Sequence, residues 1–268
     1  MHARRLPLPS LGCLYFVLAA ISLYIPIVVL VVFSFNNSAT LTFPLKGFTL
    51  HWYTDLLGAT ELLKALQNSL LLGLGSSVVA TVLGALAAIG ITRFNFRGRN
   101  AFLAVASLPM VIPYVVLAVG LLLAFESLGV PLNLWTVGVG HVVISLPYAM
   151  LIIAARLAGF EANLEEAAQD LGSSYWGTLL RVTLPLSAPA LVSAFLTSFT
   201  TSFDEFALAF FLTGTQNTLP VYLYSQLRFP TRLPLVITLA ALVMVGSIIL
   251  VLFSEWLRRA PAARSSTA

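Results

Sequence analysis

Six stretches of this chain, residues 11–33, 69–91, 102–125, 132–153, 190–211 and 235–257, are each apolar for about 20 residues, the length an α-helix needs to cross a hydrocarbon core about 30 Å thick. Transmembrane strands would alternate apolar and polar positions over about ten residues. These stretches are apolar on every side, so helices are predicted. Once the spans are removed, no soluble domain remains. The composition agrees: with 59% apolar and 9% charged residues and a mean hydropathy of +0.96, a soluble globule of 268 residues would lack the polar surface to cover itself. The predicted fold is an all-α polytopic membrane protein with six transmembrane helices. Residues 1–10 precede the membrane domain, which occupies 11–257, and 258–268 form a tail. Arg4 and Arg5 precede the first span as they would in a signal peptide. The span is longer than such a peptide's apolar region, contains Pro26, and is followed by Phe33, Ser34, Phe35, Asn36 and Asn37 rather than a small-residue cleavage pattern. It is expected to be retained.

Charge orients the bundle. Arg4, Arg5, Arg93, Arg97, Arg99, Arg156, Arg181, Arg258, Arg259 and Arg264 fall on the N-terminus, alternate loops and C-terminus, while Lys46, Lys64, Arg228 and Arg232 fall on the other side. Both termini are therefore predicted to face the cytoplasm. The net charge of +4 reflects this topology and does not indicate nucleic-acid binding. Cys13, the only cysteine, excludes an intrachain disulfide and a thiolate metal site. No metal or cofactor is expected.

In the outer loop at 34–67, residues 50–66 suit short interfacial helices anchored by Trp52, Tyr53, Leu56 and Leu57. Such a loop either caps the bundle or receives an extracytoplasmic partner. Pro109 and Pro113 in the third span and Pro147 in the fourth predict bends near Met110 and Leu146, because each removes a backbone donor and clashes one turn back. Such bends serve packing alone, or line a pathway and act as hinges. Gly73, Gly75, Gly84 and Gly90 in the second span permit close helix approach.

The loop at 156–185 differs in kind. Asn163 and Glu166 have capping-box spacing, and Glu165 and Glu166 lie in a first turn whose dipole favours negative charge. Gly172 is the expected helix end, and a second amphipathic segment at 174–182 runs until Leu184 and Pro185. The result is a helix-turn-helix elbow between the fourth and fifth transmembrane helices. Leu164, Ala167, Ala168 and Leu171 share one face; Glu165, Glu166, Gln169 and Asp170 are polar. No lysine or arginine lies between Arg156 and Arg181, a poor match to an anionic leaflet. A groove on another protein is the better partner.

The run Glu166-Ala167-Ala168, then Gly172, Val182 and Leu184-Pro185, resembles the loop signature of the inner-membrane permease subunits of binding-protein-dependent ABC importers. The resemblance extends over essentially the whole chain. It implies that Glu165, Glu166, Ala167, Ala168, Asp170, Leu171, Gly172, Leu179, Leu184 and Pro185 form coupling helices that dock on a cytoplasmic ATPase. Leu179 stands where an aromatic is common. Within the family the chain is similar to the second permease subunits of spermidine/putrescine-type importers, through the run Phe43 to Tyr53, Asn68-Ser69, the run Leu108 to Pro113, and Ser202-Phe203-Asp204-Glu205-Phe206. Permeases for iron(III), thiamine, phosphonate and opines share parts of these fragments. The resemblance implies a multi-pass protein of the bacterial inner membrane that works with a homologous permease subunit, two ATP-binding subunits and an extracytoplasmic substrate-binding protein.

Asp204 and Glu205 are the only adjacent acids within an apolar span, about 22 Å along the predicted fifth helix from Ala190. A carboxylate there is costly unless it meets water, a partner or a cationic ligand. Being about 100° apart on a helix, the two cannot share a direction. One is expected to face the translocation path, with Asp204 favoured, and Tyr114 and Tyr148 are further lining candidates through their aromatic faces. The structural alternative is that the acids satisfy local polar groups. The sequence contains no phosphate-binding G-x-x-x-x-G-K-[ST] loop, so a non-catalytic transport subunit driven by a separate ATPase is expected. An ion-coupled carrier using Asp204 and Glu205, or a subunit that only holds a partner, remain the competing classes.

Overall fold

The computed structural model describes residues 11–38, 40, 42–159 and 162–259, the side chains of 11, 162–163 and 250–259 being outside that description. Arg4, Arg5 and Arg264, and the Arg258 and Arg259 side chains, which entered the orientation argument, lie outside the described residues, as do residues 1–10 and 260–268. Among the described residues the helices run in the order α1 (Leu11–Ser34), α2 (His51–Gly58), α3 (Thr60–Arg93), α4 (Arg99–Val111), α5 (Tyr114–Ser127), α6 (Leu134–Ala158), α7 (Ala162–Asp170), α8 (Tyr175–Thr178), α9 (Leu184–Phe203), α10 (Ala207–Leu212), α11 (Leu219–Gln226) and α12 (Leu233–Arg259). A π-helical turn, Leu179–Thr183, joins α8 to α9. Only one isolated bridge, Asn36 to Phe48, interrupts the all-helical pattern among the described residues. Among the described residues five helices are long and apolar enough to cross a membrane, and α4 with α5 makes a sixth span if the bent pair counts as one.

That pair turns through 107°. At 13 and 14 residues the two halves are each about 20 Å long, too short to cross alone. The break follows from Pro113, which disfavours the helical region for the residue before it: Ile112 is extended at φ −75°, ψ 129°. Pro113 then starts α5, where its missing N–H has no helical partner to lose. The bend expected near Met110 is present, whereas α6 runs unbroken through Pro147.

The chain divides into two compact units, one formed by the segments up to Thr60 and from Leu223 onward, the other by Glu61–Tyr222. In the first, α12 packs on α1 and α2. Trp52 Nε1 donates to the Asn36 carbonyl at 2.9 Å, and the Tyr53 hydroxyl is 2.7 Å from Ser34 Oγ. These rings thus spend their polar ends on the end of α1 and the residues just after it, and Leu56 is buried while Leu57 is exposed. Only α2 forms as a separate short helix there; from Thr60 the chain already belongs to α3.

In the second unit α6 lies along α9 and also touches α4, and α10 packs on α5 and α6. Small residues set the spacing: Ala85 and Ala88 of α3, Ala149 of α6 and Ala194 of α9 form one buried cluster with Ile153 and Leu157. In lipid there is little hydrophobic gain from bringing helices together, so this close van der Waals fit supplies the attraction. A second cluster joins Ala118 of α5, Val137 and Ile144 of α6, and Leu208 and Leu212 of α10. The N-terminus of α6 is capped by Asn133, whose side chain accepts from Trp135 and Thr136 N–H while Thr136 Oγ1 accepts from the Asn133 N–H.

Candidate functional site

The elbow at the end of the bundle is built from α7, a tight turn, α8 and the π turn. α7 includes Ala162, so Asn163 stands inside its first turn rather than ahead of it, and its side chain lies outside the described residues. After Asp170 the helix stops at Gly172, which adopts φ +88°. Gly172 N–H donates to the Gln169 carbonyl at 2.8 Å and Ser173 N–H to the Ala168 carbonyl at 3.0 Å, closing carbonyls that the helix end would leave bare. Ser174 then caps α8 by accepting from Gly177 N–H. Leu184 N–H reaches back five residues to the Leu179 carbonyl. Such wide turns tolerate the donor that Pro185, at the start of α9, lacks.

The elbow residues divide by exposure. Glu165 is held inward by Arg93 and Thr183. Glu166, Ala167, Asp170 and Pro185 are exposed, while Ala168, Leu179 and Leu184 are half-buried. Leu171 is 90% exposed and Trp176 68% exposed, with Leu164 and Leu180 also open. A rigid turn therefore holds several large apolar side chains and two free carboxylates outward.

At the end of α9 the structure departs from the predicted fifth span. The helix runs through Tyr175–Phe203 rather than 190–211, then breaks, and α10 starts afresh at Ala207. Asp204 and Glu205 sit in that break. Asp204 follows the last turn of α9, where its N–H donates to the Thr200 carbonyl, and its side chain is exposed. Glu205 is buried at 5% exposure, and its Oε2 accepts from Ala209 N–H at 3.1 Å, supplying the first turn of α10 with an acceptor. The same oxygen lies 3.5 Å from His141 Nε2 on α6. The carboxylates thus point to different surroundings, and the break, rather than helical spacing alone, separates them.

His141 was missed by the sequence reading. It is fully buried, and its Nδ1 lies 2.6 Å from Ser202 Oγ, which in turn lies 2.9 Å from Ser76 Oγ on α3. Ser76, Ser202, His141 and Glu205 form a polar row across α3, α9, α6 and the break, all buried. A lone histidine in an apolar span carries no periodic signal, and its partners stand 61 and 64 positions away along the chain. Only the intramembrane cost of a buried imidazole hinted at it. Tyr114 at the start of α5 and Tyr148 on α6 are half-buried neighbours, and lie near enough for the Glu205 charge to act on Tyr114. Glu205, Tyr114 and Tyr148 are therefore one neighbourhood, and exposed Asp204 is a separate feature at its edge. No group of three or more His, Cys, Asp or Glu suited to a metal occurs among the described residues.

At the far end of α3, Asn68 Nδ2 donates to the Asn217 carbonyl at 2.9 Å and Ser69 Oγ accepts from Leu219 N–H at 2.8 Å. The polar pair that opens the second predicted span thereby fastens the loop following α10.

Comparison with known proteins bears on this architecture directly. The family described as "Binding-protein-dependent transport system inner membrane component" matches residues 80–262. The chain is 36% identical over 238 residues to the spermidine/putrescine transport system permease protein PotC of Escherichia coli K12, covering 88% of this chain and 89% of that one. It is 37% identical over 238 residues to PotC of Haemophilus influenzae, covering 88% and 92%, and 34% identical over 242 residues to the putrescine transport system permease protein PotI of E. coli K12, covering 87% and 85%. A crystal structure of a bacterial ABC transporter involved in import of the acidic polysaccharide alginate superposes with a TM-score of 0.71 over 96% of this chain and 95% of its own, at 16% identity, which bears on the fold alone. Six apolar spans among the described residues, counting the bent pair as one, a fold shared with a chain of a bacterial ABC transporter and a family match over most of the membrane domain agree: this chain belongs to the binding-protein-dependent transport system inner membrane components.

Proposed function

We propose that this chain is the transmembrane permease subunit of an ATP-driven importer for polyamines, with both termini in the cytoplasm of a bacterial inner membrane. It pairs with a homologous permease, two cytoplasmic ATP-binding subunits and an extracytoplasmic binding protein. The observation that carries the reading is the elbow: Leu171 and Trp176 are exposed beside Glu166 and Asp170 on a backbone fixed by the Gly172 turn. Exposed apolar side chains on a rigid, acidic turn fit a groove on another protein. The loop joins α6 to α9, so a push on it acts directly on the most closely packed helix pair of its unit. Alternating access by rocking of helices follows from such a push.

Glu166→Lys tests this. With wild-type chain the ATP-binding subunit is expected to co-purify with the permease, and with the variant that retention is expected to fall by about tenfold or more, the loss of a charge-assisted contact turned repulsive. Equal retention would show that the elbow does not hold the ATP-binding subunit, and uptake unaffected by ATP depletion would argue for a carrier.

The polyamine assignment rests on the similarity to PotC and PotI and on Asp204. That carboxylate stands at the C-terminal end of α9, where the last backbone carbonyls add their own partial negative charge, a favourable spot for an ammonium group. Asp204→Asn is expected to lower spermidine or putrescine uptake by about tenfold, with the apparent affinity weakened. Unchanged uptake and affinity would remove Asp204 from the path.

A further inference from the structure

Arg93 is the last residue of α3, and its guanidinium ties together three pieces of chain that are distant in sequence. Nη2 donates to Glu165 Oε1 at 2.9 Å, in the first turn of α7. Nη1 donates to the carbonyl of Leu157 at 3.3 Å, in the last turn of α6. Thr183 Oγ1, at the end of the π turn, donates to the same Glu165 oxygen at 2.8 Å. The Arg93 and Glu165 side chains are 21% and 17% exposed, and Ile89, Thr178 and Leu179 wall the small space beside them. This is a sheltered, charge-assisted cluster rather than a solvent-exposed surface pair.

Its placement matters because α3 has no short covalent link to the elbow. The elbow is continuous with α6 on one side and α9 on the other, and α3 ends some 70 residues earlier, with α4, α5 and α6 intervening. We propose that Arg93 is a positioning residue for energy coupling: it clamps α3 to Glu165, so that movement of the elbow is delivered to α3 together with α6 and α9. The proposal rests on the reading of the elbow as the ATPase-coupling element. α3 carries Ser76, whose hydroxyl reaches Ser202 beside the break that holds Asp204 and Glu205. A motion that reached α6 and α9 but left α3 behind would shear that row instead of moving it as a body.

The test uses the full complex reconstituted in liposomes, measuring spermidine uptake, ATP hydrolysis and retention of the ATP-binding subunit. Arg93→Gln is expected to retain that subunit and to hydrolyse ATP within about twofold of wild type. Uptake should fall about tenfold, so that ATP consumed per spermidine rises about tenfold, the scale set by one lost charge-assisted contact. Arg93→Lys is expected to recover most of the coupling, which a purely volumetric role would not explain. A wild-type ratio of ATP to spermidine in Arg93→Gln overturns the proposal. Should that variant fail to assemble, Glu165→Gln decides: it keeps an acceptor for Thr183 but removes the charge that pairs with Arg93, and a raised ratio supports the clamp while an unchanged ratio rejects it. Glu166→Lys in parallel separates the two ideas. If Glu166→Lys keeps its ATPase and its uptake, the coupling reading itself fails; if it loses them while Arg93→Gln behaves as wild type, only the clamp fails.

Discussion

Gly84→Leu is expected to prevent the helical bundle of the second unit from packing. A Cβ at this position of α3 would stand 2.7 Å from the Ala149 Cβ and 2.9 Å from the Met150 backbone nitrogen of α6, and backbone cannot rotate away as a side chain can. The helices would have to separate, which opens the Ala85, Ala88, Ala149 and Ala194 cluster along its length. Overpacking of a close-fitting core costs about 1–3 kcal/mol, and a leucine against backbone belongs at the upper end of that range or beyond it. The expected result is loss of monodisperse protein after detergent extraction and early thermal unfolding of what remains. Gly90→Ala on the same helix is the control, since a Cβ there meets nothing within 4 Å, and it is expected to behave as wild type. Equal yields from Gly84→Leu and Gly90→Ala would contradict the packing described.

Glu205→Ala is the second large effect. Removing this carboxylate strips an acceptor from the Ala209 N–H and leaves His141 Nε2, already without a partner closer than Glu205, facing an apolar interior. A buried polar group left unsatisfied costs about 1–3 kcal/mol; the Ala209 N–H becomes one, and His141 Nε2 loses the carboxylate 3.5 Å away. The expected total is about 2–4 kcal/mol, seen as a marked drop in the temperature at which the purified protein loses monodispersity. Glu205→Gln keeps a carbonyl acceptor for Ala209 and should lose much less. Because Glu205 and His141 are near neighbours, the double variant with His141→Ala should cost less than the sum of the two single changes. Additive losses, or an alanine variant as heat-stable as wild type, would show that the polar row does not hold the break together.

The spans were legible because the requirement behind them is simple: a helix in lipid must be apolar for its whole crossing, and hydropathy records that residue by residue. The elbow was legible at Gly172, where a left-handed turn needs glycine, and the bend at Ile112 was legible because proline constrains the residue before it. The end of α9 was not. No proline or glycine marks the stop at Phe203, and an apolar run resumes directly after Asp204 and Glu205, so hydropathy carries the predicted span on to Phe211. The break is stabilised by Glu205 reaching Ala209 and His141, a contact between positions that only the folded chain brings together. The glycines of α3 show the same limit. Sequence counts Gly73, Gly75, Gly84 and Gly90 alike, yet only Gly73, beside the Phe199 ring, and Gly84 lie at close approaches. Trp52 and Tyr53 have the composition of interfacial anchors, but their polar atoms are committed to Asn36 and Ser34.

The account stands most directly on uptake by purified components. The chain is to be reconstituted in liposomes with its permease partner, binding protein and ATP-binding subunits, and labelled spermidine followed with and without ATP on the side of the ATP-binding subunits. Accumulation that requires ATP, and that disappears with Glu166→Lys, is the predicted result. Full uptake by the chain without any ATP-binding subunit, driven by an ion gradient, would contradict it.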